Sequence, residues 1–290
     1  MTVVMDGKKV AAHLSEEIKQ ALGVSEEHGI KPKVAFVRIG DLSDSISYEN
    51  AAVKRFEKLG IETAQYHFPN DVSTRVFLTK FREINEDYAI HGILLLQPLP
   101  KHIPMKRVAE IMNSFKDIDG MKASNLGKVL TNEPDRLEPC TPSAVMKMLD
   151  FYDVDLKGKN VTVVGASAVV GKPLSLLMMN RDATVTTCNL YTDNLVDKCK
   201  NADVIVSAAG AINLIGADHV KEGVVVVDVG INFTDEGKMV GDVNYDAVKD
   251  KASFITPVPG GIGAITTTVL AYQLVKATEH QKEPVLFLEK

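Results

Sequence analysis

A chain of 290 residues, 45% hydrophobic and 24% charged, is long enough to bury two cores and has the composition of an ordinary globular protein. Its net charge of −5 gives no broad basic field of the kind that nucleic acid selects. The longest apolar runs, residues 93–96 and 224–227, are far too short to cross a bilayer, so neither nucleic acid nor a membrane is expected as a partner.

The predicted elements alternate between helix and strand. Val10, Leu14, Ile18 and Leu22 recur every four positions and predict an amphipathic helix over residues 8–28. A buried strand follows at 34–39, a helix at 45–59 ending at Gly60, a strand at 61–66 and a helix at 72–84. A second buried strand, 90–96, stops before Pro98 and Pro100. Residues 116–142 carry Gly120, Gly127, Pro134, Pro139 and Pro142 with little periodicity, and read as a linker or a functional loop system. A new alternating series then opens: strand 160–164, helix 171–180, strand 184–188, helix 194–201, and strands 204–207 and 224–227. The chain closes with a Gly-rich loop at 257–263 and a helix over 266–277. Strands joined by helical crossovers predict parallel sheets covered on both faces, so the expected fold is α/β with two domains and a binding cleft between them.

The first residues show no basic region followed by a long apolar stretch, hence no secretory signal. Cys140, Cys188 and Cys199 form no metal spacing, and an odd number argues against a disulfide framework. No metal is expected, and a reducing cytoplasm is the expected location.

The strand at 160–164 runs into Gly165-Ala-Ser-Ala-Val-Val-Gly171-Lys-Pro173 and then a helix. One glycine makes the turn, a second lets helix and strand pack closely, and the helix N-terminus is left facing a pyrophosphate. Ser167 stands where the middle glycine of the usual dinucleotide pattern belongs. The next strand ends Cys188-Asn189-Leu190-Tyr191, with neither the acid that reads a ribose diol nor a base for a 2′-phosphate. From these residues alone the phosphate state of the cofactor stays open.

Further motifs carry a resemblance over nearly the whole chain. They are Gly92-Ile-Leu with Pro98-Leu-Pro100, Lys116-Asp-Ile-Asp-Gly120, Pro139-Cys-Thr-Pro142, the glycine loop, Asp228-Val-Gly-Ile-Asn232, Gly241-Asp-Val243 and Thr256-Pro-Val-Pro-Gly-Gly-Ile-Gly263. With these the chain resembles the bifunctional methylenetetrahydrofolate dehydrogenase/methenyltetrahydrofolate cyclohydrolases. The resemblance implies a folate-binding catalytic domain built from residues 1–140 with 266–290, and a Rossmann-type dinucleotide domain at 141–265 through which two copies pair as a homodimer. It implies that Tyr48 stacks on the folate and Asp119 hydrogen-bonds the pterin, the two catalytic residues, with Pro259, Gly260 and Gly261 also at the substrate. Thr141, Gly165, Ala166, Ser167, Gly171, Ile231, Gly263 and Thr266 fall where such enzymes touch the nicotinamide cofactor. A carboxylate suits an aminopyrimidine edge and an aromatic face suits a flat heterocycle. Without the resemblance, Tyr48 reads as a plain helix residue, Asp119 as a turn residue before Gly120, and 257–263 as a simple turn.

The chain also departs from the family. The lysine expected four residues after the tyrosine is Ala52, and the supporting glutamine is Leu96, with Gln97 beside it. Strand alternation predicts that Gln97 points away from the site unless the strand has ended. The arginine and serine that meet a 2′-phosphate are Ala166 and Leu190, and Ala264 and Ile265 replace a Pro-Met pair. The expectation is a dehydrogenase that prefers NAD over NADP, its cyclohydrolase activity weak or lost. Two alternatives stand beside it: a bifunctional NADP enzyme in which another group replaces the lysine, and a catalytically silent folate- or dinucleotide-binding protein.

Overall fold

The computed structural model describes residues 2–281; residues 282–290 of the expected folate-domain segment lie outside them. In chain order the first elements are β1 (Val3–Val4), α1 (Gly7–Glu27), β2 (Lys33–Ile39), α2 (Ser43–Lys58), β3 (Glu62–Phe68), α3 (Thr74–Glu86), β4 (Gly92–Leu95), α4 (Met105–Ile111), α5 (Ala123–Thr131) and α6 (Cys140–Phe151). The chain continues with β5 (Asn160–Val164), α7 (Gly171–Met179), β6 (Thr184–Cys188), α8 (Leu195–Cys199), β7 (Val204–Ser207), β8 (Val224–Asp228), β9 (Asn232–Phe233), β10 (Met239–Val240), α9 (Tyr245–Val248), β11 (Ala252–Ile255) and α10 (Thr266–His280). None of the described helices is long and apolar enough to span a membrane.

Two compact α/β units result. Among the described residues, one comprises Leu14–Cys140 with 267–281; the other comprises Thr141–Thr266 with 2–13. In the first, three parallel strands take the order β3-β2-β4. The central strand β2 is buried along almost its whole length, while the edge strand β3 is half-exposed, as burial on two faces against one edge dictates. Ala35, Val37 and Ile39 pack with Phe77 and Phe81 of α3, Ile93 and Leu95 of β4 and Val108 of α4. The opposite residues of β2 meet α2, where Phe36 and Phe56 make an edge-to-face pair at 5.5 Å. Ser73 caps α3 by accepting from the Val76 amide at 3.3 Å.

The second unit is a six-stranded parallel sheet in the order β1-β11-β8-β7-β5-β6. The valine-rich strands β5, β7 and β8 are buried, and threonine-rich β6 is the edge. The strand order reverses between β5 and β7, and that switch point fixes where the ends of these strands open to a ligand.

Three local expectations are corrected. The stretch 116–142 is not irregular throughout: it contains α5, and α6 begins inside it at Cys140. The N-terminal residues, expected with the first unit, supply β1 to the second, where Val3 and Val4 pair with Phe254 and Ile255. Strand β4 stops at Leu95, which removes the basis for pointing Gln97 away.

Candidate active site

In the first unit the chemistry gathers beyond the carboxyl ends of β2 and β4. After β4 the chain turns through a cis Gln97–Pro98 bond, and Ser45 of α2 donates its hydroxyl to the Gln97 carbonyl at 3.2 Å. Gln97 lines an open pocket with Leu95, Asp117, Asp119 and Lys122. Sequence alternation missed this residue because the strand ends one position earlier than the apolar run suggests.

Asp119 sits there partly buried, between two anchors. Asp117 is fixed by the Lys122 amide at 2.7 Å and the Asn125 amide nitrogen at 2.9 Å. Gly120 adopts φ +65°, and a Cβ there would overlap the backbone of Glu138 and Pro139, so the turn after Asp119 requires glycine. Burial, then the neighbouring Asp117 charge, pushes the Asp119 carboxyl up to about 7, although a hydrogen bond with Cys140 opposes this. The same surroundings hold the buried Cys140 thiol in its neutral form, donating to the Ile118 carbonyl at 3.3 Å. A carboxyl balanced near neutrality and open to a pocket suits ligand recognition or proton transfer.

Tyr48 is 38% exposed on α2, whereas Ala52 is fully buried on the stripe formed by Ser45, Glu49, Val53 and Phe56. Four helical residues advance 400°, so Ala52 is turned about 40° towards the sheet relative to Tyr48. Between them lies a charged cluster that sequence reasoning did not find. Buried Glu49 accepts from Arg38 Nε at 2.7 Å through one oxygen and pairs with His67 Nε2 at 2.7 Å through the other, while Arg38 reaches Asp41 at 2.8 Å. Arg38 and His67 are register partners on β2 and β3. A single arginine, two residues after Phe36 in an otherwise apolar strand, is the only signal, and by itself it names no partner.

In the second unit the glycine loop has the geometry its spacing implies. Gly165 adopts φ +114°, and a Cβ there would overlap the Ala208 carbonyl; a Cβ on Gly171 would overlap the Gly165 carbonyl. Ser167 accepts from the Val170 amide at 3.1 Å through its hydroxyl, and its carbonyl accepts from Lys172 N at 3.0 Å. Its side chain therefore builds the turn. Val170, the residue before α7, supplies no side-chain cap, which leaves the helix N-terminus suited to a phosphate. The loop at 257–263 contains a cis Val258–Pro259 bond and Gly260 at φ +106°. Gly7 N donates to the Gly260 carbonyl at 2.8 Å, and bulk at Gly7 would strike the Gly261 carbonyl. Exposed Ile231 lies close to Gly263, its Cδ1 3.8 Å from where a side chain there would begin, while Thr266 opens α10 and Thr141 lies in the first turn of α6. Among the described residues no cluster of His, Cys, Asp or Glu could hold a metal ion.

The catalytic-domain model of the tetrahydrofolate dehydrogenase/cyclohydrolases matches residues 5–119, and their NAD(P)-binding-domain model matches residues 139–282. A bifunctional protein FolD from Dictyoglomus turgidum is 44% identical over 279 residues, 96% of this chain and 99% of the relative. The chain belongs to the tetrahydrofolate dehydrogenase/cyclohydrolase family. Its fold is also that of solved members. The bifunctional methylenetetrahydrofolate dehydrogenase/cyclohydrolase FolD of Campylobacter jejuni superposes with a TM-score of 0.94 at 38% identity, covering 97% of this chain and 100% of that one. The Trypanosoma brucei methylenetetrahydrofolate dehydrogenase-cyclohydrolase, solved with NADP and an inhibitor, gives 0.90 at 30% identity, covering 98% and 99%. Family membership makes the Gly165 loop part of an NAD(P)-binding domain, in agreement with its geometry.

Proposed function

We propose that this chain oxidises 5,10-methylenetetrahydrofolate to 5,10-methenyltetrahydrofolate by hydride transfer to NAD, with cyclohydrolase activity weak or lost, and that it works as a homodimer. Tyr48 stacks on the folate and ionised Asp119 accepts from the aminopyrimidine edge; Pro259, Gly260 and Gly261 complete the substrate side. Thr141, Gly165, Ala166, Ser167, Gly171, Ile231, Gly263 and Thr266 hold the cofactor, which when bound supplies the hydride acceptor. The protein's share of the work is to hold the two reactants in near-attack geometry.

The observation that carries the cofactor choice is at the end of β6. Gly165 N donates to the Cys188 carbonyl at 2.9 Å, tying the glycine loop to the strand end where a dinucleotide's ribose is read. The side chains presented beside that tie are Ala166, Leu190 at 92% exposure and Tyr191 at 88%. Arg181, a cation from the same unit, is engaged by Asp150 through two bonds of 3.0 and 3.1 Å. A 2′-phosphate without charged partners forgoes about 1.5–3 kcal/mol per contact.

Weak hydrolysis is supported by Ala52 and Leu96, both buried and apolar where the family resemblance leads one to expect a lysine and its glutamine. Hydride transfer needs no such base, since the product is a cation that an added ammonium would oppose. The deciding experiment follows NADH or NADPH formation and methenyl decay in one assay, with spontaneous hydrolysis subtracted. Faster turnover with NAD, and methenyl product that accumulates, is the expected result. Efficient NADP turnover with prompt methenyl decay would favour the bifunctional alternative; no turnover with either cofactor would favour a silent binding protein.

A further inference from the structure

The Asp228-Val-Gly-Ile-Asn232 and Gly241-Asp-Val243 motifs meet at two buried carboxylates whose bonds lead to the crevice at the switch point. Asp242 is fully buried. Its Oδ2 accepts from the Ser207 hydroxyl at 3.0 Å, Ala209 N at 2.7 Å and Gly210 N at 3.2 Å. Its Oδ1 accepts from Ala211 N at 2.9 Å and Asn232 Nδ2 at 3.0 Å. Three consecutive backbone amides converging on one carboxylate form a nest of the kind that ordinarily takes an anion; here a side chain fills it. Asp242 is in turn fixed by Asp228, which accepts from Gly230 N at 2.9 Å, Asp242 N at 3.0 Å and Val243 N at 2.9 Å. Nothing larger than hydrogen fits at Gly230 or Gly241, where a Cβ would overlap the Asp242 and Asp228 carboxylates.

What Asp242 holds is more telling than how it is held. The 208–211 segment follows β7 and lies against Gly165: Ala208 N donates to Val164 O at 2.7 Å, and the Ala208 carbonyl occupies the space a Gly165 side chain would need. Asn232 follows Ile231, the residue that approaches Gly263. One carboxylate therefore sets the loop opposite the glycine turn and the exposed Ile231 between β8 and β9.

We propose that Asp242 is a positioning residue for the dinucleotide, its carboxylate fixing the 208–211 loop and Ile231 as two walls of the cofactor crevice. This rests on the reading that the crevice takes NAD. With Asp242→Asn the side-chain shape survives, but an amide group replaces one acceptor oxygen and faces N–H donors, so the two walls are no longer tied together. Asp242→Ala removes both ties. Asn232→Ala cuts only the Ile231 arm at a partly exposed residue and leaves the nest intact.

The experiment measures NAD binding by calorimetry at 20 °C, with steady-state KM for both substrates and thermal unfolding of the same samples. Wild type should bind NAD. The Kd should rise about tenfold in Asp242→Asn and more in Asp242→Ala, and several-fold in Asn232→Ala, whose melting temperature should stay near wild type. The KM for the folate should change less than twofold throughout. If Asp242→Asn fails to fold, Asn232→Ala decides alone. An unchanged Kd in folded variants, with only the melting temperature lowered, would make Asp242 a purely structural residue and overturn the proposal. Failure of wild type itself to bind NAD or NADP would instead overturn the cofactor reading, and this inference with it.

Discussion

Substituting Asp119 tests the proposed folate site most directly, because its carboxyl has a fixed position and burial raises its pKa to about 7. Burial and the neighbouring Asp117 move it from 3.8 to about 7. The pH dependence of kcat/KM reports the free enzyme, so if ionised Asp119 receives the pterin, activity follows the ionised fraction: about 0.9 at pH 8, about 0.5 at pH 7 and about 0.1 at pH 6. The acid limb should therefore cost about tenfold between pH 8 and pH 6. Asp119→Asn keeps one acceptor but loses a charge-assisted pair of about 1.5–3 kcal/mol, so kcat/KM at pH 8 should fall by about 10- to 150-fold and lose its acid limb. Because the Cys140 hydrogen bond opposes the upward shift, Cys140→Ala should move the limb to higher pH. The assay is the initial rate of NADH formation with excess formaldehyde keeping the methylene adduct formed.

The sign of the stability effect gives an independent check. A carboxyl whose folded value is raised favours the protonated folded state; its stabilising contribution is complete below 3.8 and is lost as pH rises through about 7. Ligand-free wild type should therefore lose stability relative to Asp119→Asn across that window, by no more than roughly 4 kcal/mol and by less given the residue's partial exposure. A kcat/KM that stays flat from pH 8 to pH 6, or an acid limb that persists in the asparagine variant, would refute the assignment of Asp119 as the pterin acceptor.

Other variants probe the remaining parts of the reading. Wild type should show kcat/KM about tenfold or more higher with NAD than with NADP, and Ala166→Arg with Leu190→Ser should narrow that ratio, as read from paired steady-state rates. Gly171→Ala forces a Cβ against the Gly165 carbonyl, so calorimetry should detect no NAD binding, and the melting temperature should fall by several degrees. Ala52→Lys with Leu96→Gln should raise methenyl hydrolysis above wild type and above either single change, since the amide is useful mainly when an ammonium is there to be held.

Much of this was legible in the sequence wherever a single local rule governed the outcome. Strand β5 begins and ends where the apolar pattern and Gly165 dictate, because a buried parallel strand has no competing periodicity. The glycines at 165 and 171 could be assigned because only a missing side chain satisfies both the turn and the helix packing. What escaped depended on distant partners. The two residues of β1 have no period to read; they become a strand only through β11, some 250 positions later. Gln97 was misplaced because the run Ile93-Leu-Leu-Leu96 continues the strand pattern up to its last bond, Leu96 N to the Val37 carbonyl at 2.9 Å, and the chain turns at Gln97–Pro98. Glu49, Arg38 and His67 are unremarkable in a helix and two strands until the register sets them together.

That cluster bears on the lysine that the family resemblance leads one to expect at position 52. Ala52 leaves no open gap beside Tyr48: its side chain is fully buried, and the sheet-facing stripe is filled by Glu49 paired to Arg38. A lysine restored at position 52 would therefore crowd a closed surface, at a cost of about 1–3 kcal/mol. It would stand three residues from Glu49, whose oxygens are already shared by Arg38 and His67. Two outcomes compete for such an ammonium. If it pairs with Glu49 it stays charged and is a poor base; if Arg38 keeps Glu49, desolvation and the like charge of the guanidinium drive its pKa down towards the range in which an amine accepts a proton at neutral pH. Hydrolytic gain in the double variant should thus have a rising pH limb below that of an ordinary lysine, and Arg38→Leu, by freeing Glu49 to neutralise the newcomer, should move that limb back up. A glutamine introduced at position 96 would decide between the two states by offering the amine a neutral partner, which is the physical reason for testing the two substitutions together.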